Sequence, residues 1–237
     1  MNKRLLRTTA LLGEEKTQKI TNAKVMIIGV GAVGGYALEA LARFGVGEFV
    51  LIDFDVFDET NINRQILALS STIGKKKVDV AKNRVLEINS NAKITILDVK
   101  VNHENIDKIL DDHKPDFIID AIDNLSAKLA VIETLYKRGL KFISSMGAAL
   151  KTDESFIKYG KLSNTKNCGL AKFLRKKLKS RGVDISKVKC VYSDEQVILP
   201  ETAMFLEDGN NRNSLGSLPT ITAIFGLTIA NNIIKEL

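Results

Sequence analysis

Between Val25 and Asp55 the chain reads VMIIGVGAVGGYALEALARFGVGEFVLIDFD, an order of residues that few folds accommodate. An apolar run, Val25–Ile28, ends in Gly29-Val30-Gly31-Ala32-Val33-Gly34. An amphipathic segment follows, and a second apolar run, Phe49–Ile52, closes on Asp53 and Asp55. The order predicts strand, glycine turn, helix and strand with an acidic end, the βαβ unit of nucleotide-binding folds. Glycine lets the backbone turn sharply and approach a ligand with its N–H groups, and the next helix offers its positive end to phosphate. Asp53, about twenty residues on, is placed to accept hydrogen bonds from ribose hydroxyls. A GxGxxG alone is weak evidence, because glycines also serve tight helix–strand packing. Its setting between a strand and a helix is what points to a bound nucleotide.

The rest of the chain alternates in the same way. Lys3–Ile20 is predicted as a helical arm broken at Gly13, with Leu5, Leu6, Leu11 and Leu12 as its apolar positions. Asp58–Ala68 reads as a polar loop running into a helix, and a further helix follows Gly74 from the Lys75-Lys76-Lys77 run to about Glu87. Ile94–Val99, Phe117–Ile119 and Phe142–Ser145 are predicted strands. Glu104–Leu110 and Ser126–Arg138 are predicted helices, the second capped by Gly139. Such alternation implies an α/β fold, a Rossmann-like doubly wound and mostly parallel sheet with right-handed crossovers. Its ligand belongs beyond the carboxyl ends of the strands, which carry Gly29–Gly34, Asp53–Asp55, Asp120–Asp123 and Ser145–Gly147.

Beyond Ala149 the pattern changes. Phe156–Leu162 and Lys189–Tyr192 read as strands of a different kind, and Leu170–Arg181, LAKFLRKKLKSR, as a helix with a basic face. Glu201–Leu215 has no periodicity and reads as a flexible loop, and Pro219–Leu237 as an apolar closing helix. The expectation is a single domain over 1–237. It comprises a helical arm (1–22), a nucleotide-binding core (23–149) and a C-terminal strand–helix extension (150–237).

Composition narrows the setting. Met1–Arg7 is basic without an apolar signal region behind it. The longest apolar stretch, Ile221–Ile234, is too short for a bilayer and is interrupted by Thr228, Asn231 and Asn232. A cytoplasmic protein without a membrane association is expected. Two cysteines, Cys168 and Cys190, are too few and too far apart for a disulfide framework or a Cys-x-x-Cys zinc site. His103 and His113 fall in a polar stretch and are expected at the surface. The formal charge of +7 suits a polyanionic partner such as nucleic acid.

The polar residues gathered at the ligand edge are Asp53, Asp55, Asn61, Arg64, Gln65, Lys77, Asp120 and Asp123. A hydride-transfer enzyme would need little of this beyond Asp53. Arg64 offers a bidentate fork and Lys77 a compact point charge, a pair suited to a triphosphate. Asp123 could hold Mg²⁺, which is commonly bound by one or two carboxylates together with phosphate and water.

Taken in order, G-V-G-A-V-G, L-I-D-F-D, T-N-I-N-R-Q, G-K-K-K and D-A-I-D-N resemble the adenylating domain of the ubiquitin-activating-like superfamily. The sulfur-carrier adenylyltransferases ThiF and MoeB belong to it, and the resemblance runs from Arg4 to at least Gly147. It implies ATP bound over Gly29, Gly31, Ala32 and Gly34, with Ala32 standing where the family usually has a third glycine. It further implies Asp53 on the ribose, Asn61, Arg64 and Lys77 on the phosphates, and Asp123 on Mg²⁺, with Asp55 and Gln65 in the same site. Arg7, on its own residues a charge on a solvated helix face, matches an arginine that reaches the ATP of the neighbouring subunit. A homodimer follows, with Arg7, Arg64, Lys77 and Asp123 as the residues that act on the phosphates.

Within the superfamily the tail discriminates. The paired zinc cysteines usual in MoeB-like enzymes are missing. A-L-A-R-F-G-V-G, S-S-M-G-A-A, V-Y-S-D-E-Q with Pro200 beyond it, and G-S-L-P before the last helix resemble the tRNA threonylcarbamoyladenosine dehydratases. The segment Lys151–Lys172 departs from that family's pattern. Such enzymes activate the threonyl carboxylate of the modified adenosine with ATP and close it into a ring, so the implied partner is tRNA carrying threonylcarbamoyladenosine. On this reading Lys172, Arg175, Lys176, Lys177, Lys179 and Arg181 could track the RNA backbone. Taken singly, each fits an ordinary solvated face equally well. Left open are a monovalent cation ordering the C-terminal loop and assistance from a cysteine desulfurase and sulfur acceptor. The competing readings are an adenylyltransferase acting on the Gly-Gly tail of a small sulfur carrier, and a nicotinamide-binding oxidoreductase or nucleotide-sensing module.

Overall fold

The computed structural model describes residues 3–197, 206–208 and 212–237. Its first strand, β1 (Lys24–Ile28), is the hydrophobic run before the glycines, and helix α3 (Ala32–Phe44) begins inside them. Strands β2 (Glu48–Ile52), β3 (Lys93–Leu97), β4 (Phe117–Asp120) and β5 (Phe142–Ser145) pair in parallel in the order β3-β2-β1-β4-β5. The order reverses at β1 and β4, which places the ligand crevice over that junction. Strand β7 (Lys189–Ser193) pairs in parallel with β5, and β6 (Ile157–Lys161) runs antiparallel along β7. The two strands of the extension therefore continue the same seven-stranded sheet.

Alternation along the strands makes two cores. Val25 and Ile27 of β1 face α3, α4 (Lys77–Ile88) and α8 (Pro219–Glu236). Met26 and Ile28 face α5 (Ile106–His113), α6 (Leu125–Lys137) and α7 (Gly169–Ser180). The product is a three-layer α/β/α arrangement. The arm is two short helices, α1 (Leu6–Leu12) and α2 (Glu14–Asn22), hinged at Gly13 with φ of 83°. Among the described residues, no helix is long and apolar enough to cross a membrane.

Two expectations change. Asp58–Ala68 contains a single 3-10 turn, Glu59–Asn61, and no α-helix. The Asp58 side chain takes the Thr60 N–H at 2.8 Å and Asn61 Oδ1 takes the Asp58 N–H, so local side-chain bonds compete with helix propagation. Within Glu201–Leu215, the segments Leu206–Asp208 and Arg212–Ser214 (β8 and β9) pair as an antiparallel hairpin rather than a featureless loop. Residues 201–205 and 209–211, and Pro200, lie outside the described residues.

Helices α3 and α8 cross closely at Gly226. A Cβ there would lie 2.4 Å from the Val33 carbonyl oxygen and 2.9 Å from the Ala37 nitrogen, both backbone atoms that cannot swing aside. Gly226→Ala is therefore expected to destabilise the fold by about 1–3 kcal/mol, the usual cost of overpacking, despite alanine's better helix propensity. A lower urea midpoint with an unchanged m-value is the expected reading, and an unchanged or higher midpoint would contradict the close crossing.

Candidate active site

The turn after β1 is built by exclusion. Gly29 has φ of 93°, and a Cβ on it would lie 2.7 Å from the Ala121 carbonyl oxygen. A Cβ on Gly34 would sit 1.9 Å from the Gly29 carbonyl oxygen, so this buried position in the first turn of α3 admits only glycine. Around this turn, at the carboxyl ends of β1, β2, β4 and β5, lies a cavity of about 980 Å³. Its wall brings together Gly29, Gly31, Ala32, Asp53, Asp55, Arg64, Gln65, Lys77 and Asp123, which are far apart in sequence. A second hollow of equal volume, at the opposite end of the strands, contains none of these. There Arg84 pairs with Glu39 and Arg4 donates to the Ile88 carbonyl oxygen. We assign the chemistry to the first, where the glycine turn and the acidic strand end converge.

Asp53, 8% exposed, accepts the Val30 N–H at 2.7 Å on one carboxylate oxygen and the Asp55 N–H at 2.9 Å on the other. It thus braces the glycine turn against the end of β2, a task additional to the ribose contact read from sequence. Burial holds its carboxyl above the ordinary range, a rise that the Lys77 charge and the two N–H donors only partly offset. Lys77 opens α4 and is 6% exposed. Its ammonium lies 3.2 Å from the Asp55 carboxylate and 5.9 Å from the centre of the Phe57 ring. Arg64 reaches the wall with its guanidinium on the Thr60 carbonyl at 2.9 Å and on Asn63 Oδ1 at 2.8 Å. Gln65 is buried against the glycine turn, with its Oε1 unpaired among the described residues. A buried polar atom without a partner calls for a ligand or a water at that place.

Asp123 is exposed on the wall, and no hydrogen bond or ion pair engages its side chain among the described residues. No cluster of three or more histidine, cysteine or acidic side chains forms a metal cage among them either. A single carboxylate fits Mg²⁺, whose remaining positions are filled by phosphate oxygens and water. Asn61 does not line the cavity; its amide caps the 3-10 turn. Arg7 is exposed on α1 and also lies outside the wall.

On α7, Lys172, Lys176, Lys177 and Lys179 are exposed. Arg175 instead donates to the carbonyl and hydroxyl of Thr165, and Arg181 pairs with Glu133 at 2.6 Å. Those two cations are engaged within the fold. Cys168 caps the start of α7 through its sulfur, while burial pushes the Cys190 thiol up to about 12, leaving it unreactive at neutral pH. His103 is exposed and His113 half-buried.

A network absent from the sequence reading lies under the floor. Asp120, placed at the ligand edge by its position in D-A-I-D-N, is completely buried. It accepts Lys128 Nζ at 2.8 Å, Ser144 Oγ at 2.6 Å and the Ile122 N–H at 3.2 Å. Lys128 is equally buried and also approaches the Asp120 carbonyl oxygen. The signal was available. Lys128 sits on the α6 stripe of Val131, Ile132 and Leu135, where a lysine needs an acidic partner.

A doubly wound sheet with a glycine turn, a buried acid just past β2 and two cations on one cavity wall defines a nucleotide-binding α/β enzyme. Residues 3–237 match the ThiF family, and the chain belongs to it. It is 34% identical over 238 residues to the tRNA threonylcarbamoyladenosine dehydratase of Bacillus subtilis, covering 98% of this chain and 93% of that protein. The solved structure of the Escherichia coli dehydratase TcdA in complex with ATP superposes with a TM-score of 0.87 at 31% identity, covering 98% of this chain and 93% of that one. The molybdopterin-synthase adenylyltransferase of Salmonella typhimurium is 29% identical over only 59% of this chain and 54% of its own length.

Proposed function

We propose that this chain is an ATP-dependent dehydratase that closes the threonyl side chain of threonylcarbamoyladenosine in tRNA into a ring, releasing AMP and pyrophosphate. One observation carries the reading. Similarity to the dehydratases extends through the β6–α7–β7 extension, whereas similarity to a sulfur-carrier adenylyltransferase covers 59% of the chain. Activation of a sulfur carrier is the less favoured use of the same core.

A carboxylate is a poor electrophile because its leaving group would be oxide or hydroxide. Attack of the threonyl carboxylate oxygen on the α-phosphorus of ATP breaks the bond to pyrophosphate and gives an acyl adenylate. A nitrogen or oxygen of the carbamoyl group then attacks the activated carbonyl and expels AMP, and a carbamoyl N–H gives up its proton. One water is lost in sum. Lys77 and Arg64 oppose the negative charge that builds on the phosphates, and the N–H groups of the glycine turn do the same. Ring closure gains from tethering, since nucleophile and electrophile belong to one residue. No protein nucleophile is needed, in keeping with the masked thiol of Cys190. Asp123 would hold Mg²⁺, which supplies charge neutralisation of the phosphates.

The reading includes a homodimer in which Arg7 reaches the partner's ATP. Leu11 on the same arm is 83% exposed and Leu6 43%, an apolar surface that a second copy would cover. It also includes one adenylating domain over the whole chain, acting in the cytoplasm where ATP and tRNA meet. The reaction is complete without a sulfur donor, so neither a sulfur-transfer partner nor a monovalent cation is assigned residues.

The test is mass spectrometry of nucleosides from threonylcarbamoyladenosine-bearing tRNA incubated with the protein and Mg-ATP, with AMP assayed in the same tube. Loss of one water per AMP is the expected result. An unchanged nucleoside, with ATP–pyrophosphate exchange appearing only on addition of a Gly-Gly-tailed carrier, would replace this reading with the other.

A further inference from the structure

The cavity is longer than a nucleotide site requires. It begins at Val99 and Val101 beyond β3 and crosses Asp53 and the glycine turn. It then passes Asp123 and ends at Met146, Gly147, Leu170 and Phe173, beyond β5 and on α7. These positions follow the sheet order β3-β2-β1-β4-β5, four strand spacings or roughly 19 Å. A volume of about 980 Å³ lies at the top of the range for small-molecule sites. On the dehydratase reading, Asp53 just past β2 takes the ribose toward the β3 side, and the glycine turn after β1 takes the phosphates. The β5–α7 end is then left for the molecule whose carboxylate meets the α-phosphate.

That end has a distinct chemistry. Met146 is buried, Leu170 and Phe173 are half-buried, and none of the four residues named there carries a charge. A Cβ on Gly169, which also lines the cavity, would meet nothing within 4 Å, so the space before the first turn of α7 is open. On the neighbouring face of the same helix, Lys172, Lys176 and Lys179 are exposed at i, i+4 and i+7. One helix thus presents an aromatic ring to the cavity and a cationic stripe outside it. A flat base joined to a polyanionic backbone satisfies both.

We propose that Phe173 is the stacking surface for the modified adenine base, which leaves the RNA stack and enters the β5–α7 end of the cavity while the backbone follows the α7 lysines. This rests on the dehydratase reading above. Enzymes acting on a base commonly extrude it into a pocket and hold it between apolar or aromatic side chains. The stack would set the direction in which the threonyl carboxylate extends toward the glycine turn.

Phe173→Leu keeps an apolar packing residue and removes the aromatic face. Expected are a KM for modified tRNA raised about 5- to 150-fold, the range base–aromatic stacking spans, and an unchanged Kd for Mg-ATP. Phe173→Tyr should restore KM. The chain contains no tryptophan, so Phe173→Trp introduces a single indole whose fluorescence should be quenched when modified tRNA binds. A wild-type KM in Phe173→Leu, an equal loss of ATP binding, or an unquenched Phe173→Trp bound to tRNA would each overturn the proposal. A wild-type enzyme that leaves the modified nucleoside unchanged would fail the dehydratase reading instead, and the quenching is read independently of turnover.

Discussion

Lys128→Met is expected to lower stability by about 3–5 kcal/mol, the cost of leaving one member of a buried ion pair without its partner. Both side chains are fully excluded from solvent, so the stranded Asp120 carboxylate keeps only the Ser144 hydroxyl and the Ile122 N–H. For a chain of this size the loss corresponds to a fall of about 6–20 °C in Tm. Charge, rather than packing, is tested by the double variant Asp120→Asn with Lys128→Met. Removing both charges should recover most of the stability, since neutral replacements of buried pairs are often tolerated. The deficit of the single variant should also persist in high salt, which screens surface pairs far more than buried ones. A single variant within 1 kcal/mol of wild type would show that the pair does not hold β4, β5 and α6 together. The network matters to the site by position. Through the Ile122 N–H it fixes the turn that carries Asp123, and that turn's Ala121 carbonyl packs on Gly29.

How far the sequence reveals this molecule depends on how local each determinant is. The convergence of the glycine turn, Asp53 and Lys77 on one cavity was legible because it lies in spacing: a turn that only glycine permits, an acid at the next strand end, a lysine at a helix start. Phe142–Ser145 was also found to the residue, as the next strand of the alternation, ending before Gly147. The sheet position of β7 was not legible, because parallel pairing with β5 is decided by contacts between residues more than forty positions apart. The burial of Asp120 was legible only indirectly, through Lys128 on the apolar stripe of α6. At the end of a strand an acid reads as ligand-facing, and only its long-range contact with Ser144 and the inward stripe of α6 turn it under the floor. Asn61 shows the opposite limit. Its motif position was recognised, yet its amide serves the local cap beside Asp58.

Lys77→Ala is expected to reduce AMP formation by about 10²- to 10³-fold, the effect of removing one preorganised group that opposes transition-state charge. The reason to expect a functional loss is that the lysine is poorly placed for stability. It opens α4, where the helix dipole is positive and a cation is unfavourable. Its ion-pair partner among the described residues, the Asp55 carboxylate at 3.2 Å, is half exposed, and pairs of that kind contribute little. What the position does provide is convergence: a buried ammonium, the N-terminus of α3 and Arg64 all border one cavity. Truncation should therefore change Tm by only a few degrees while lowering kcat and kcat/KM together, as when a contact is made mainly in the transition state. A rise in KM for ATP with kcat intact would reassign Lys77 to ground-state phosphate binding. Retention of more than about a tenth of wild-type kcat, well short of the expected loss, would reduce it to a partner for Asp55. Lys77→Arg preserves the charge but brings a planar fork on a longer stem into a site where the native side chain is nearly buried, so only partial recovery is expected. A fully active Lys77→Arg would mean that charge alone, and not the point at which the ammonium is held, accounts for the lysine at this place.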